Sequence, residues 1–115
     1  MRSVAAACIL LAMSSQGHGD DPTASREVLL DNPTVEVVRL TYPPGSESGI
    51  HSHDYPHRVA YVVKGGRLEM VPAGGETPPQ TVELVEGQAV FLPAATHNIR
   101  NVGETEVVII ETEIK

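Results

Sequence analysis

The sequence predicts an all-β fold, a sandwich or barrel, and three observations predict it. Short runs rich in Val, Ile, Thr and Tyr recur along the chain between turn residues. The 9 prolines and 10 glycines are spread along the chain rather than clustered. After residue 30, no stretch longer than about six residues carries helical periodicity. With 115 residues the chain is long enough for one domain and too short for two. One Phe, three Tyr and no Trp make its core aliphatic. A domain of this size buries a modest core and gains from closing its sheet edges.

The N-terminus reads differently. Arg2 is followed by an apolar run to Met13 that is too short to span a bilayer, then by the small polar stretch Ser14-Ser15-Gln16-Gly17. This pattern predicts a secretory signal peptide over residues 1–17, cleaved after Ser14 or Gly17, and a secreted or periplasmic protein. The alternative is the helical or disordered N-terminus of a cytoplasmic protein. Cys8, the only cysteine, comes too early for a lipoprotein signal and leaves with the signal peptide. The mature domain then folds without an oxidative step. Residues 18–25 are polar and read as a linker, with His18 alone in it.

The folded unit is residues 26–115, read as eight or nine strands. Arg26–Leu30 is the first, and Asp31-Asn32-Pro33 turns the chain. Residues 34–42 form the next run, stopped by Pro43-Pro44-Gly45, whose prolines lack the donors that strand pairing needs. Residues 58–64 compose a buried strand, and Gly65-Gly66 signals a hairpin into Arg67–Val71, which alternates polar and apolar. A loop over 72–79 leads to a strand over 80–85, Glu86-Gly87 turns, and residues 88–93 form a strand ending at Pro93. Residues 96–102 carry His97 into a second hairpin signal, Gly103-Glu104-Thr105, before the last and longest strand, Glu106–Ile114. A formal charge of −7 argues against nucleic acid and anionic membranes as partners, since both require a basic patch. Beyond that exclusion the charge reads as solubility, and the expected small-molecule ligand follows from the histidine site.

Chemistry concentrates in Gly45–Gly65. His51 and His53 stand two apart, so on a strand they share one face and can reach one ion. In a small barrel, distant strands meet across the interior, which allows His97 to join them. Three imidazoles converging from two strands make a facial metal site that suits iron, manganese, nickel, copper or zinc and leaves positions open. Such an all-imidazole site supplies no anionic protein ligand, which favours an anionic or thiolate substrate.

Two motifs carry a resemblance. Gly45, five residues, His51-Ser52-His53, four residues, Arg58, six residues, Gly65 resembles the first motif of the cupin superfamily. Gly87, five residues, Pro93, then His97 and Asn101, resembles the second. The resemblance implies a small double-stranded β-helix, the jelly-roll barrel. The chain departs from the family pattern where the first motif has a glutamate, often the fourth metal ligand, and this chain has Arg58. A guanidinium cannot ligate a metal. The second motif has Ala95 in place of glycine and is one residue shorter between Pro93 and His97.

The resemblance therefore implies a three-histidine variant like the cupin dioxygenases that act on small thiols and diketones. In that setting Arg58 pairs with a substrate carboxylate if it faces inward, or is an exposed cation at a strand start. Tyr61 offers a phenol donor, or is barrel core with its hydroxyl at the rim. His57 points outward on a regular strand and becomes a fourth ligand only if a bulge turns it in. Asn101 fixes a turn through its side-chain amide. The alternatives to an enzyme are a module that binds a metal or small ligand without turnover, and an interaction protein whose histidines are remnants. A homodimer paired through the long strand Glu106–Ile114 is also expected.

Overall fold

The computed structural model describes residues 22–115, so the expected signal peptide over 1–17 and residues 18–21 lie outside the described residues. Nine strands make up the described chain: β1 (Ser25–Asp31), β2 (Val35–Tyr42), β3 (His51–His53), β4 (His57–Lys64), β5 (Gly66–Pro72), β6 (Gln80–Leu84), β7 (Ala89–Leu92), β8 (Ala95–Asn101) and β9 (Val107–Ile114). The limits of the eight strands read from the sequence agree with these to within one residue at each end, and β3 lies in the histidine stretch, whose limits the sequence does not mark. β1 begins at Ser25, the last residue of the expected linker.

The strands form two antiparallel sheets. One has the order β1-β2-β9-β4-β7 and the other β3-β8-β5-β6. They face each other as a jelly-roll barrel, with β1, β7, β3 and β6 as the edge strands. β4 shows how the chain is sorted. Arg58, Ala60 and Val62 are buried while His57, Val59, Tyr61 and Val63 are exposed, the period of a strand with one face inside. Tyr42, Ala60, Leu68, Ile99, Val107 and Ile109 form the core. Burying a side chain such as Leu68 or Ile109 stabilises by about 1.5–3 kcal/mol.

Three expectations about connections are corrected. Gly65-Gly66 is not a hairpin turn, because β4 and β5 lie in different sheets. Neither glycine has positive φ. They are needed for close approach: a Cβ on Gly65 would stand 2.3 Å from the Leu84 carbonyl oxygen, and one on Gly66 would stand 2.7 Å from Thr105 Oγ1. Gly103-Glu104-Thr105 likewise carries the chain from β8 to β9 in the opposite sheet. Asn101 fixes that crossing, as expected of it. Its Nδ2 donates to the carbonyls of Tyr42 and Thr105 at 2.8 Å each, and its Oδ1 accepts from Gly103 N–H at 2.9 Å. The last strand is not a free edge. β9 sits between β2 and β4, with both sides paired, so it cannot recruit a second chain by edge pairing.

Candidate metal centre

His51, Ser52 and His53 pair with β8 in the register His51↔His97, Ser52↔Thr96 and His53↔Ala95. Strand alternation then turns His51, His53 and His97 to the barrel interior together. Their ring centroids lie 4.7, 4.8 and 5.1 Å apart. One nitrogen from each lies within 4.8 Å of the others. The approach to β3 is held by β8: Asn98 Oδ1 accepts from Gly49 N–H at 2.9 Å, and Ser48 Oγ accepts from Ile99 N–H at 3.0 Å.

Hydrogen bonding assigns the protons of two of these rings. His51 Nδ1 lies 2.8 Å from the Gly49 carbonyl oxygen, an atom that only accepts, so Nδ1 carries the hydrogen. His53 Nδ1 faces the Glu113 carboxylate, with Glu111 Oε1 at 3.7 Å, and carries its hydrogen for the same reason. With Nδ1 of each ring so engaged, the two Nε2 atoms face one another 2.9 Å apart. Two ring nitrogens that close share a positive charge between them, a proton or a metal ion. Nitrogens bound cis on an octahedral ion at about 2.1 Å stand about 3.0 Å apart, against about 3.4 Å on a tetrahedral one. The residues present fit a metal ion held by three imidazoles.

His97 completes the set as a neutral ring. It is 5% exposed. Burial, and then the neighbouring His51, His53 and Arg58, push its pKa down from 6.5 to about 4. A neutral imidazole is the form that ligates.

The opposite sheet supplies the rest of the site. Arg58 is not an exposed cation. It is 2% exposed and faces inward, because residue 58 shares the parity of Ala60 and Val62. Its Nη1 donates to Glu111 Oε2 at 3.2 Å and its Nη2 to the Pro93 carbonyl at 3.0 Å. His57 points outward, with its ring 5.7 Å from that of Phe91, so no bulge turns it toward the three histidines. Tyr61 also faces out and is 48% exposed, neither a donor into the cavity nor barrel core. The phenol that lines the cavity is Tyr42, at the end of β2. Burial, then the Glu111 carboxylate, raise its pKa well above the ordinary phenol range against the opposing effect of Arg58, so it stays a neutral donor.

Glu111 and Glu113 are the residues that sequence reasoning missed, and they correct the expectation of an all-neutral site. A signal was present: in a strand that buries Val107 and Ile109, positions 111 and 113 share the inward face. The carboxylate absent from β4 is in effect supplied from β9. The interior cavity measures about 240 Å³. A second cavity of about 360 Å³ shares Tyr42, His51, His53 and Glu111 with it and is lined also by the ion-paired Arg26 and Glu36.

A jelly-roll barrel whose interior gathers histidines from two motifs defines a class, and comparison agrees: the cupin domain model matches residues 38–113, and the chain belongs to that family. Among particular relatives, it is 39% identical over 95 residues to the Beta-alanine degradation protein BauB of Pseudomonas aeruginosa, covering 82% of this chain and 96% of that one. A cupin domain from Bordetella pertussis Tohama I shares 34% identity and superposes with a TM-score of 0.72 over 82% of this chain and 95% of that one. An RmlC-like cupin from Methanocaldococcus jannaschii shares only 18% identity, with a TM-score of 0.63 over 84% of each chain, and shares the fold alone.

Proposed function

We propose that this protein is a metal-binding cupin that holds a divalent transition ion through His51, His53 and His97 and oxidises a small anionic substrate in a dioxygenase-type reaction. The observation that carries the metal is the convergence of His51, His53 and His97, one nitrogen of each within 4.8 Å of the others, with Nδ1 of His51 and of His53 already engaged elsewhere. Bound there, iron, manganese, nickel or copper supplies Lewis acidity and one-electron chemistry, and zinc Lewis acidity alone. The chain's own residues do the rest. Glu113 and Glu111 orient His53, Arg58 places a fixed positive charge beside the cavity, and Tyr42 offers a neutral phenol donor. The relative named for β-alanine degradation supports a small carboxylate as substrate.

The second reading is binding without turnover. One observation favours it: Glu111 is paired with Arg58, Glu113 with His53, and Tyr42 is held neutral, so the polar groups around the centre are committed to one another. Anaerobic loading with Fe²⁺, followed by O₂ uptake against small thiols, diketones and oxo or hydroxy acids, separates the two. Consumption of O₂ stoichiometric with substrate supports the enzyme. A substrate that raises the melting temperature without O₂ uptake supports the binder.

Two further parts of the proposal concern the whole protein. Residues 1–17 direct it out of the cytoplasm, which mass spectrometry of the mature N-terminus would test against an intact Met1. The protein pairs as a homodimer through the outer face of the five-stranded sheet, where Val59, Tyr61 and Phe91 are exposed side by side. Light scattering should report a dimer that Phe91→Asp converts to a monomer, and a monomeric wild type rules that pairing out.

A further inference from the structure

We propose that Glu111 is a specificity-determining residue whose free carboxylate oxygen, together with the Tyr42 hydroxyl, selects a ligand that carries a hydroxyl group. This rests on the reading of the three histidines as metal ligands and adds a second contact for what binds there. Five residues line both cavities: Leu40, Tyr42, His51, His53 and Glu111. Tyr42 and Glu111 thus stand with two of the histidines where the cavities adjoin.

The pairing with Arg58 uses only half of the Glu111 carboxylate. Oε2 accepts from Arg58 Nη1 at 3.2 Å. Oε1 lies 3.7 Å from His53 Nδ1, too far for a hydrogen bond, and the hydrogen on that nitrogen goes to Glu113. The residue is nonetheless only 5% exposed. Among the described residues, the one buried side-chain nitrogen or oxygen that is both sealed off and without a partner is Arg58 Nε. Glu111 Oε1 is therefore not sealed off, and the open space beside it is the cavity that Glu111 lines. A buried carboxylate oxygen that faces a cavity without a donor fits a ligand that brings one.

The donor that fits best is neutral. Arg58 already meets the charge of Glu111, so an ammonium there places a second cation beside a buried guanidinium. Tyr42 points the same way. It stands near enough for Glu111 to raise its pKa, it keeps its proton, and no described residue accepts from its hydroxyl. A ligand group that answers both residues donates to Glu111 and accepts from Tyr42. A hydroxyl does both, whereas an ammonium only donates and a carbonyl only accepts. A ligand that expels water from Glu111 Oε1 without supplying a hydrogen leaves a buried charge half satisfied and binds more weakly for it.

The test uses the full chain, stripped with chelator and reloaded with Mn²⁺, with metal occupancy measured separately. Calorimetry then compares 3-hydroxybutanoate and 4-hydroxybutanoate with butanoate, 3-oxobutanoate and the 3- and 4-aminobutanoates, which share a carboxylate and a chain length. One of the two hydroxy acids should bind at least about tenfold more tightly than butanoate and the oxo acid, the scale of a hydrogen bond to a charged group. Glu111→Gln keeps an oxygen for Arg58 and turns an amide N–H₂ to the cavity. In that variant the preference should vanish and 3-oxobutanoate should gain on 3-hydroxybutanoate. Should Glu111→Gln fail to fold, Arg58→Met/Glu111→Leu takes its place and should bind the hydroxy acids and butanoate alike. A preference that survives either change puts the hydroxyl on the metal and overturns the proposal. So does an amino acid that binds more tightly than both hydroxy acids, or a metal-loaded protein that does not distinguish the series or binds none of it. A protein that takes up no metal overturns the underlying reading and this proposal with it.

Discussion

His53 is the histidine most closely controlled by its surroundings. The Glu113 carboxylate holds its Nδ1–H, which fixes the tautomer and aims Nε2 at His51. Such partners typically change metal affinity by about 10–100-fold. Glu113→Ala should therefore weaken metal binding by that factor in competition with a chromogenic chelator, while the metal-free protein melts near the wild-type temperature. Arg58 and Glu111 behave as a unit. Removing one member of a buried ion pair typically costs about 3–5 kcal/mol, whereas replacing both with apolar groups costs far less. Urea unfolding should show that loss for Arg58→Ala and substantial recovery in Arg58→Met/Glu111→Leu. His97 gives the pH dependence. Its folded pKa, about 4, lies below its ordinary 6.5, so between those values the unfolded chain takes up a proton that the native ring refuses. Stability of the metal-free protein should fall as pH is lowered from about 6.5 toward 4, by at most about 1.4 kcal/mol per pH unit from this group. His97→Gln should flatten that slope in urea titrations across the range.

The residue scale also shows what a sequence discloses. The spacing of His51, His53 and His97 was legible because strand alternation is local and the two motifs bring their strands together. The carboxylates were not read because Glu111 and Glu113 sit in a run, Glu111-Thr112-Glu113, that resembles an ordinary solvated face. Only the parity set by Val107 and Ile109 reveals that they point inward. Arg58 was ambiguous for the same reason: its parity with Ala60 and Val62 was readable, but the partner that makes its burial tolerable lies 53 positions away on β9.

At the scale of elements, the strands were legible and the way they connect was not. Glycine serves two purposes, positive φ in tight turns and space for close approach, and sequence alone does not tell them apart. Gly65-Gly66 has the composition of a hairpin and the job of a crossing between sheets. The distinction is testable. A Cβ on Gly65 would meet the Leu84 carbonyl at 2.3 Å, a backbone atom that cannot swing aside, so Gly65→Ala should destabilise by about 3 kcal/mol, the upper end of the overpacking range. Gly74, in the β5–β6 loop, has φ +92 but nothing within 4 Å of its absent Cβ. Gly74→Ala should cost only the backbone penalty of about 1 kcal/mol. Equal unfolding midpoints for the two variants in urea would contradict the crossing. β9 carries the same lesson. Its length suggested an exposed edge, but a long strand that buries Val107, Val108 and Ile109 in succession is one that other strands flank.

For the whole molecule, the fold explains why a chain this small can hold a metal site inside. Two antiparallel sheets close on one another, β3 and β8 supply three imidazoles, and β2, β4 and β9 face them with Tyr42, Arg58, Glu111 and Glu113. Neither sheet has a complete site. The measurement that tests this most directly is a calorimetric titration of the chelator-stripped protein, carrying no affinity tag, with Mn²⁺, Fe²⁺, Ni²⁺ or Zn²⁺. The account predicts one ion per chain, a raised melting temperature, and loss of both in His51→Ala/His97→Ala. A folded protein that shows no binding heat and an unchanged melting temperature with all four ions would contradict it.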